Sequence, residues 1–414
     1  MIYQRPKGTR DLFALELKRI EAINYQARQF FESSGYVEIK TPTFEFAQLF
    51  ARSIGETTDI VEKEMYLFEV DKRQYVLRPE GTASVLRAFI ENNLRVPARF
   101  LYIGPMFRKE RPQKGRYREF LQIGIELLGE GEPFYDAEMI EQANRFLNLI
   151  GLNEKIIEIN SIGCPECRRR YKEKLLQYLK PKIDRVCPDC QRRFQRNFLR
   201  IFDCKNKTCQ IIYTDAPKIT DNLCDQCLNH YNQVKNFLNA FSIEYIENKK
   251  LVRGLDYYTR TVFEFKHRGL GAQNTILAGG RYDLLMKELG GKDLACLGWA
   301  MGVERLLLIL PENLPEIKQK KKIFIIVIGE RFISEMVKIR GLIQQRDGIC
   351  ILGNPSATLK SQLKKANRIQ SDYVIIFGED EEKKGVYTVR NMETGYQESV
   401  EIKSFADYLN KLLQ

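Results

Sequence analysis

The chain has no apolar run approaching the roughly 18 to 20 residues that a membrane-spanning helix needs, which argues against a helical membrane protein. Its charged start, MIYQRPKGTRD, lacks the apolar core of a secretory leader, so a cytoplasmic location and no membrane partner are the expectation. It has no internal repeat and no low-complexity tract, and no group of residues suggests covalent catalysis. Without a secretory route, its ten cysteines read as reduced thiols or metal ligands rather than a disulfide framework. What remains is a chain of 414 residues, 44% hydrophobic, enough for two or three packed domains. Sixty-six Lys and Arg against 54 Asp and Glu leave a formal charge of +12, which favours a polyanionic partner without identifying one.

The fragment Arg253-Gly254-Leu255-Asp256-Tyr257-Tyr258 combines an arginine, a glycine turn, an aspartate and paired tyrosines, and the alternating run at 261–265 follows it. Such a polar cluster at the edge of a half-buried strand suits a small polar ligand. Taken alone, it reads equally well as a hairpin whose tyrosines fill a core. Four further segments shift the balance: RPEGT at 78–82, GPMFRKERP at 104–112, GGRYD at 279–283 and MGVERL at 301–306. In order and spacing, these segments resemble the motifs of class II aminoacyl-tRNA synthetases and, within that class, histidyl-tRNA synthetase. The resemblance runs from RPKGTRD at 5–11 into the C-terminal region.

Leu17, Ile20, Ile23, Ala27, Phe30 and Phe31 recur at helical spacing, and Gly35 marks a stop before strand-like residues 36–39 and Pro42. The resemblance places this helix and strand at a dimer interface and so implies a homodimer. Further strands are expected at 75–77, 100–103, 120–128, 261–265 and 275–278, with helices at 82–92 and 135–149 and an amphipathic helix at 301–310. Strands far apart in sequence with helices between them fit a large, mostly antiparallel α+β sheet. Residues 1–159 and 233–310 would form this catalytic domain, and 160–232, with eight of the ten cysteines, an inserted domain. A linker rich in Pro, Glu and Lys is expected at 311–322. At 323–414, buried strands at 323–328 and 373–377 alternate with helices at 333–346 and 361–369, which predicts a small α/β domain. Its position and the VRNMETG segment at 389–395 resemble the family's anticodon-binding domain.

Attack of an amino-acid carboxylate on the α-phosphorus of ATP passes through a transition state rich in negative charge, so positioned cations must stabilise it. The resemblance assigns Arg108 to the α-phosphate, Arg305 to the γ-phosphate, and Arg253 to the histidine carboxylate and α-phosphate as an electrophilic catalyst. It also places Glu110 and Arg116 on the nucleotide, Phe120 against adenine and Gln113 toward the tRNA acceptor end. Glu80, Thr82 and Gln122 match residues that hold the α-amino group. Glu126 and Tyr258, with Tyr282 alongside, match the imidazole contacts, where a carboxylate facing a ring N–H rejects apolar side chains. Phe120, Gln122, Gly124 and Glu126 share one face of a strand by alternation, which also fits the wet face of an ordinary strand. The resemblance thus implies a ligase dependent on ATP and Mg2+ that joins histidine to tRNA(His).

Cys164 and Cys167, Cys187 and Cys190, Cys204 and Cys209, and Cys224 and Cys227 make four pairs, three of them CxxC. That spacing lets two thiolates share one tetrahedral ion, so two structural zinc sites would use all eight, their pairing left open. Iron–sulfur ligation and unmetallated thiols are the alternatives. The insertion holds fifteen Lys and Arg against eight Asp and Glu; two tetrathiolate zinc sites, each formally −2, would reduce its excess of +7 to +3. Many histidyl-tRNA synthetases lack these cysteines, which is the main departure from the pattern. A histidine-sensing paralogue, like the regulatory subunit of ATP phosphoribosyltransferase, and a zinc-dependent RNA-binding module are the other readings; Arg108, Arg253, Arg305 and a C-terminal domain weigh against the first, and the intact set of ligand-pocket residues against the second.

Overall fold

The computed structural model describes residues 3–54, 58, 60–196, 198–271, 274–311, 321–346 and 348–413. It divides into two compact units, one of residues 1–24, 38–235 and 244–314, the other of 25–37, 236–243 and 315–414. The core of the expected linker, 312–320, lies outside the described residues.

Helix α1 (Ala14–Ser33) buries Ile20, Ile23, Ala27, Phe30 and Phe31 on its apolar stripe, while Leu17 stays 43% exposed. Gly35, at φ +86°, takes the left-handed conformation that ends such helices, and only β1 (Val37–Glu38) of the expected strand forms. Strands β2 (Phe44–Phe46), β3 (Tyr66–Val70) and β4 (Arg73–Leu77) make a small sheet of order β2-β4-β3 beside α2 (Ala47–Ile54). Helix α3 (Thr82–Glu91) follows, then the long pair β5 (Ala98–Phe107) and β6 (Glu119–Leu128), and helix α4 (Pro133–Leu149).

The main sheet is completed by β7 (Ile156–Ser161), β8 (Ile246–Glu247), β9 (Thr259–Lys266), β10 (Thr275–Arg281) and β11 (Cys296–Gly302), in the order β1-β5-β6-β11-β10-β9-β7-β8. Every pairing from β5 across to β7 is antiparallel and β7–β8 is parallel, as the α+β expectation requires. The helix expected at 301–310 needs correction. Met301 and Gly302 pair with Ile123 and Gln122 as the end of β11, and the helix is the shorter α10 (Val303–Leu307), with Arg305 inside it rather than at its start. Neighbouring strands on both sides satisfy the backbone of this segment, which outweighs its helical periodicity.

Between β7 and β8 run α5 (Pro165–Leu179), α6 (Pro188–Arg196), α7 (Lys207–Ile212) and α8 (Asp225–Ala240). Tyr171, Leu175, Ile201 and Ile212 from this stretch share one buried cluster with Phe100 and Tyr102 of β5 and with Tyr257 before β9. The single-turn helix α9 (Leu285–Glu288) lies between β10 and β11.

In the second unit, β12 (Lys322–Val327), β13 (Ile349–Leu352), β14 (Tyr373–Phe377), β15 (Val386–Asn391) and β16 (Gln397–Glu401) form a sheet of order β13-β12-β14-β15-β16. β12 is parallel to both β13 and β14, with α11 (Ile333–Gln344) and α12 (Leu359–Arg368) on the crossovers, and the last two strands return antiparallel. Phe324, Ile326, Ile351, Val374 and Ile376 are buried together, which is why these strands read as continuous apolar runs.

Candidate active site

The face of β6 that carries Phe120, Gln122, Gly124 and Glu126 floors a cleft of about 270 Å³ in the first unit. On the β11 side the residues paired to this face are small: Gly302, Ala300 and Gly298 lie opposite Gln122, Gly124 and Glu126. This smallness makes the room. A Cβ on Gly298 would come within 1.8 Å of a Glu126 carboxylate oxygen, and one on Gly124 within 2.3 Å of the Tyr102 ring and hydroxyl.

Glu80, Thr82, Gln122 and Tyr258 line the cleft together with Arg108, Glu110, Arg116, Phe120, Arg253 and Arg305. Glu80 accepts from the backbone N–H groups of Thr82 at 2.7 Å and Ala83 at 2.9 Å, which fixes it over the start of α3. Burial pushes its carboxyl above the usual range, partly offset by those two bonds. Arg108 donates from Nε to the Pro79 carbonyl at 2.9 Å and lies 5.5 Å over the Phe120 ring. Arg116 pairs with Glu110 at 2.7 Å, and the Arg305 guanidinium donates to the Thr275 carbonyl. Burial lowers the Arg305 pKa, and the neighbouring Arg116 lowers it further. Cations thus gather along one side of the cleft, where a triphosphate would neutralise them.

Two of the expected histidine contacts sit deeper. Glu126 is fully buried; it accepts from the Thr82 hydroxyl at 2.6 Å and from the Tyr282 hydroxyl. Burial pushes its pKa up to about 8, against the two hydroxyl bonds. Each carboxylate oxygen keeps a second lone pair for a further donor. Gln113 is exposed at the tip of the loop between β5 and β6, where its backbone exchanges hydrogen bonds with Arg116 at 3.1 and 2.8 Å, outside the cleft.

Sequence reasoning missed Glu264. It projects from β9 into the cleft, pairs with Arg253 and accepts from the Thr275 hydroxyl at 3.0 Å. Its signal was a lone charge alternating with Phe263 and Phe265, both fully buried. Arg253 lies 5.6 Å over the Tyr258 ring; burial lowers its pKa, but Glu264 more than offsets this and holds it above the ordinary value.

The cysteines resolve into two groups: Cys164, Cys167, Cys224 and Cys227, and Cys187, Cys190, Cys204 and Cys209, the sulfurs of each within 4.8 Å of one another. Each CxxC brackets a helix start, so the two sulfurs stand one turn apart on one face. Cys164 and Cys167 Sγ are 3.5 Å apart and Cys187 and Cys204 Sγ 3.7 Å, close to the roughly 3.8 Å edge of a tetrahedron with 2.3 Å metal–sulfur bonds. The Cys224 N–H donates to Cys167 Sγ at 3.1 Å and the Cys187 N–H to Cys209 Sγ at 3.2 Å, the bonds a thiolate accepts.

Residues 8–306 match the family model described as histidyl-tRNA synthetase, and 322–412 match that of an anticodon binding domain. The chain belongs to the histidyl-tRNA synthetase family. A histidine–tRNA ligase of Halothermothrix orenii is 44% identical over 421 residues, covering 100% of both chains, and one of Thermosipho melanesiensis is 47% identical over 409 residues, covering 97% of this chain and 96% of its own. Among solved structures, the apo histidyl-tRNA synthetase of S. aureus is 33% identical with a TM-score of 0.63, covering 99% of this chain and 100% of its own. No helix among the described residues is long and apolar enough to cross a membrane.

Proposed function

We propose that the cleft activates histidine: the chain is an ATP-dependent histidine–tRNA ligase that forms histidyl-adenylate and transfers histidine to the 3′ end of tRNA(His). The observation that carries this reading is the convergence of Arg108, Arg253 and Arg305 on one cleft with Glu80, Thr82, Gln122 and Tyr258. ATP enters as its magnesium complex. Arg305 holds the γ-phosphate, Glu110 and Arg116 contact the nucleotide, and the Phe120 ring takes the adenine. Arg108 and Arg253 flank the α-phosphate, where charge builds as the histidine carboxylate attacks and pyrophosphate leaves. Glu80, Thr82 and Gln122 fix the α-ammonium so that the carboxylate alone faces phosphorus. Glu126, with Tyr258 and Tyr282, accepts the ring N–H. An ATP–pyrophosphate exchange assay with all twenty amino acids tests this, since a ligase of this kind exchanges with histidine alone and a sensor or RNA-binding module does not exchange at all.

Replacing Glu126 with Gln raises KM for histidine far more than KM for ATP; equal rises would make the carboxylate structural. The same variant has a pH signature. Glu126 titrates near 4.5 when unfolded and about 8 when folded, so between these values the folded protein keeps a proton that the unfolded chain has lost. The contribution of this group is full below pH 4.5 and declines as pH rises, by about 1.4 kcal/mol per unit, until it levels off near 8. From pH 6 to 8, unliganded wild type should therefore lose about 2 to 3 kcal/mol more stability than Glu126→Gln, as read by denaturant unfolding.

The catalytic domain is assigned to 1–159 and 233–310, the cysteine-rich insertion to 160–232 and the anticodon-binding domain to 323–414. Removing 323–414 should spare adenylate formation and impair tRNA charging; normal charging by the truncated protein would overturn the assignment. The four-sulfur groups suit zinc in both number and spacing, and each zinc would tie helix starts together without taking part in the reaction. A homodimer in the cytoplasm, joined through α1 and the strand after it, completes the reading; sedimentation of the full-length protein tests the dimer.

A further inference from the structure

The helices that carry the first cysteine group also reach the histidine pocket. Arg168, next to Cys167 on α5, donates from Nη1 to the backbone carbonyls of Tyr258 at 3.3 Å and Asp256 at 3.5 Å, one on each side of Tyr257. Just before the group, the Ile162 N–H donates to the Arg260 carbonyl at 2.8 Å and the Arg260 N–H to the Gly163 carbonyl at 2.9 Å. Gly163, at φ +65°, is pressed onto the cysteines: a Cβ there would lie 2.5 Å from Cys167 Cβ. Helix α8, which carries Cys227, takes a second route. His230 on α8 lies 3.2 Å from Asp136, which pairs with the fully buried Arg281, and Arg281 immediately precedes Tyr282. Through Arg168 and His230 the two helices are thus linked to the segments that carry the two tyrosines assigned to the imidazole.

We propose that Arg168 is a positioning residue that ties the group of Cys164, Cys167, Cys224 and Cys227 to the loop at 253–258 and so sets Tyr258 for histidine. The proposal rests on the assignment of Tyr258 and Tyr282 to the histidine side chain. A guanidinium is suited to the task, because the two N–H groups of its Nη1 lie fixed in one plane and can serve both carbonyls while its stem stays rooted in α5. Without it, the loop loses a tie on both sides of Tyr257, and histidine must order that segment on binding. Arg108 and Arg305, which carry most of the ATP contact, stand outside the loop at 253–258, so ATP depends on this tie only through Arg253.

The test is calorimetric titration of histidine into full-length wild type, Arg168→Ala, Arg168→Lys and the exposed neighbour Arg169→Ala, with KM for ATP and metal content measured in parallel. Arg168→Ala should weaken histidine roughly tenfold, with Arg168→Lys in between and Arg169→Ala like wild type. Metal per chain should not move, and KM for ATP should rise far less than histidine affinity falls. Unchanged histidine affinity in Arg168→Ala, or equal losses for histidine and ATP, overturns the proposal. If Arg168→Ala does not fold, Arg168→Lys decides by the same comparison. Tyr258→Phe and Tyr282→Phe separate the two layers: if neither weakens histidine, the pocket assignment itself is wrong, and if both do while Arg168→Ala does not, only the tie fails.

Discussion

Arg253→Ala should abolish measurable adenylate formation while leaving histidine binding weakened but detectable. Arg253 lies in the cleft beside Tyr258, and Glu264 holds its charge in place. In the ground state the histidine carboxylate is one of its neighbours; in the transition state the α-phosphate becomes another, carrying the charge of a forming and a breaking bond. An interaction that strengthens along the reaction lowers the barrier, whereas one that is equal at both ends lowers only KM. Losing such a contact costs roughly 2.7 to 4 kcal/mol, or about 10²- to 10³-fold in kcat. Lys is a poor substitute, since a single ammonium cannot face Glu264 and phosphate together as a planar guanidinium does. Exchange assays with saturating ATP and histidine, set beside histidine titrations, give both quantities. Near-wild-type exchange would remove Arg253 from the chemistry.

The arginines of this cleft were legible through the order and spacing of the motifs: physical chemistry asked only for cations around a charged transition state, and Arg305 by itself read as a solvated helix residue. The shared face of β6 was equally readable, since alternation places Gln122 and Glu126 together whatever the neighbouring strands do. What pairs with that face was not. The small residues Gly298 and Ala300 that make room for Glu126 come from β11, more than 170 positions further on, and their burial depends on register. Residues 296–302 carry glycines and one Trp where a strand pattern would show alternation, so β11 was hidden and its last two residues were absorbed into a helix. Glu264 and Arg168 escaped for a related reason: each acts on a segment its own periodicity says nothing about. The pairing of the cysteines also needed the fold, because the first group joins residues on either side of the second in sequence.

Metal removal should unfold the stretch at 164–227 and, through it, disable the cleft. That stretch contains short helices: α6 has nine residues and α7 six, lengths at which an isolated helix is not stable in water. Its charge works against folding as well, with fifteen Lys and Arg against eight Asp and Glu in 160–232. Four thiolates in each group would offset part of that excess and join the helix starts into closed loops. In zinc-finger peptides such a site contributes about 10 to 16 kcal/mol of apparent binding energy, all of it folding energy when no site exists in the unfolded chain. The effect should not stay local, because Tyr171, Leu175 and Ile212 are buried in the same cluster as Tyr102, Tyr257 and Tyr258. Chelation in mild denaturant should therefore open 164–227 to proteolysis first and lower histidine affinity with it, while 323–414 remains protected. Elemental analysis of the purified protein sets the baseline: about two zinc per chain fits two tetrathiolate sites, and a single ion leaves one group of four cysteines without an explanation. Neither zinc nor iron, with all eight thiols freely titratable in the folded protein, would refute the metal reading and leave the stretch to be held by its buried cluster alone.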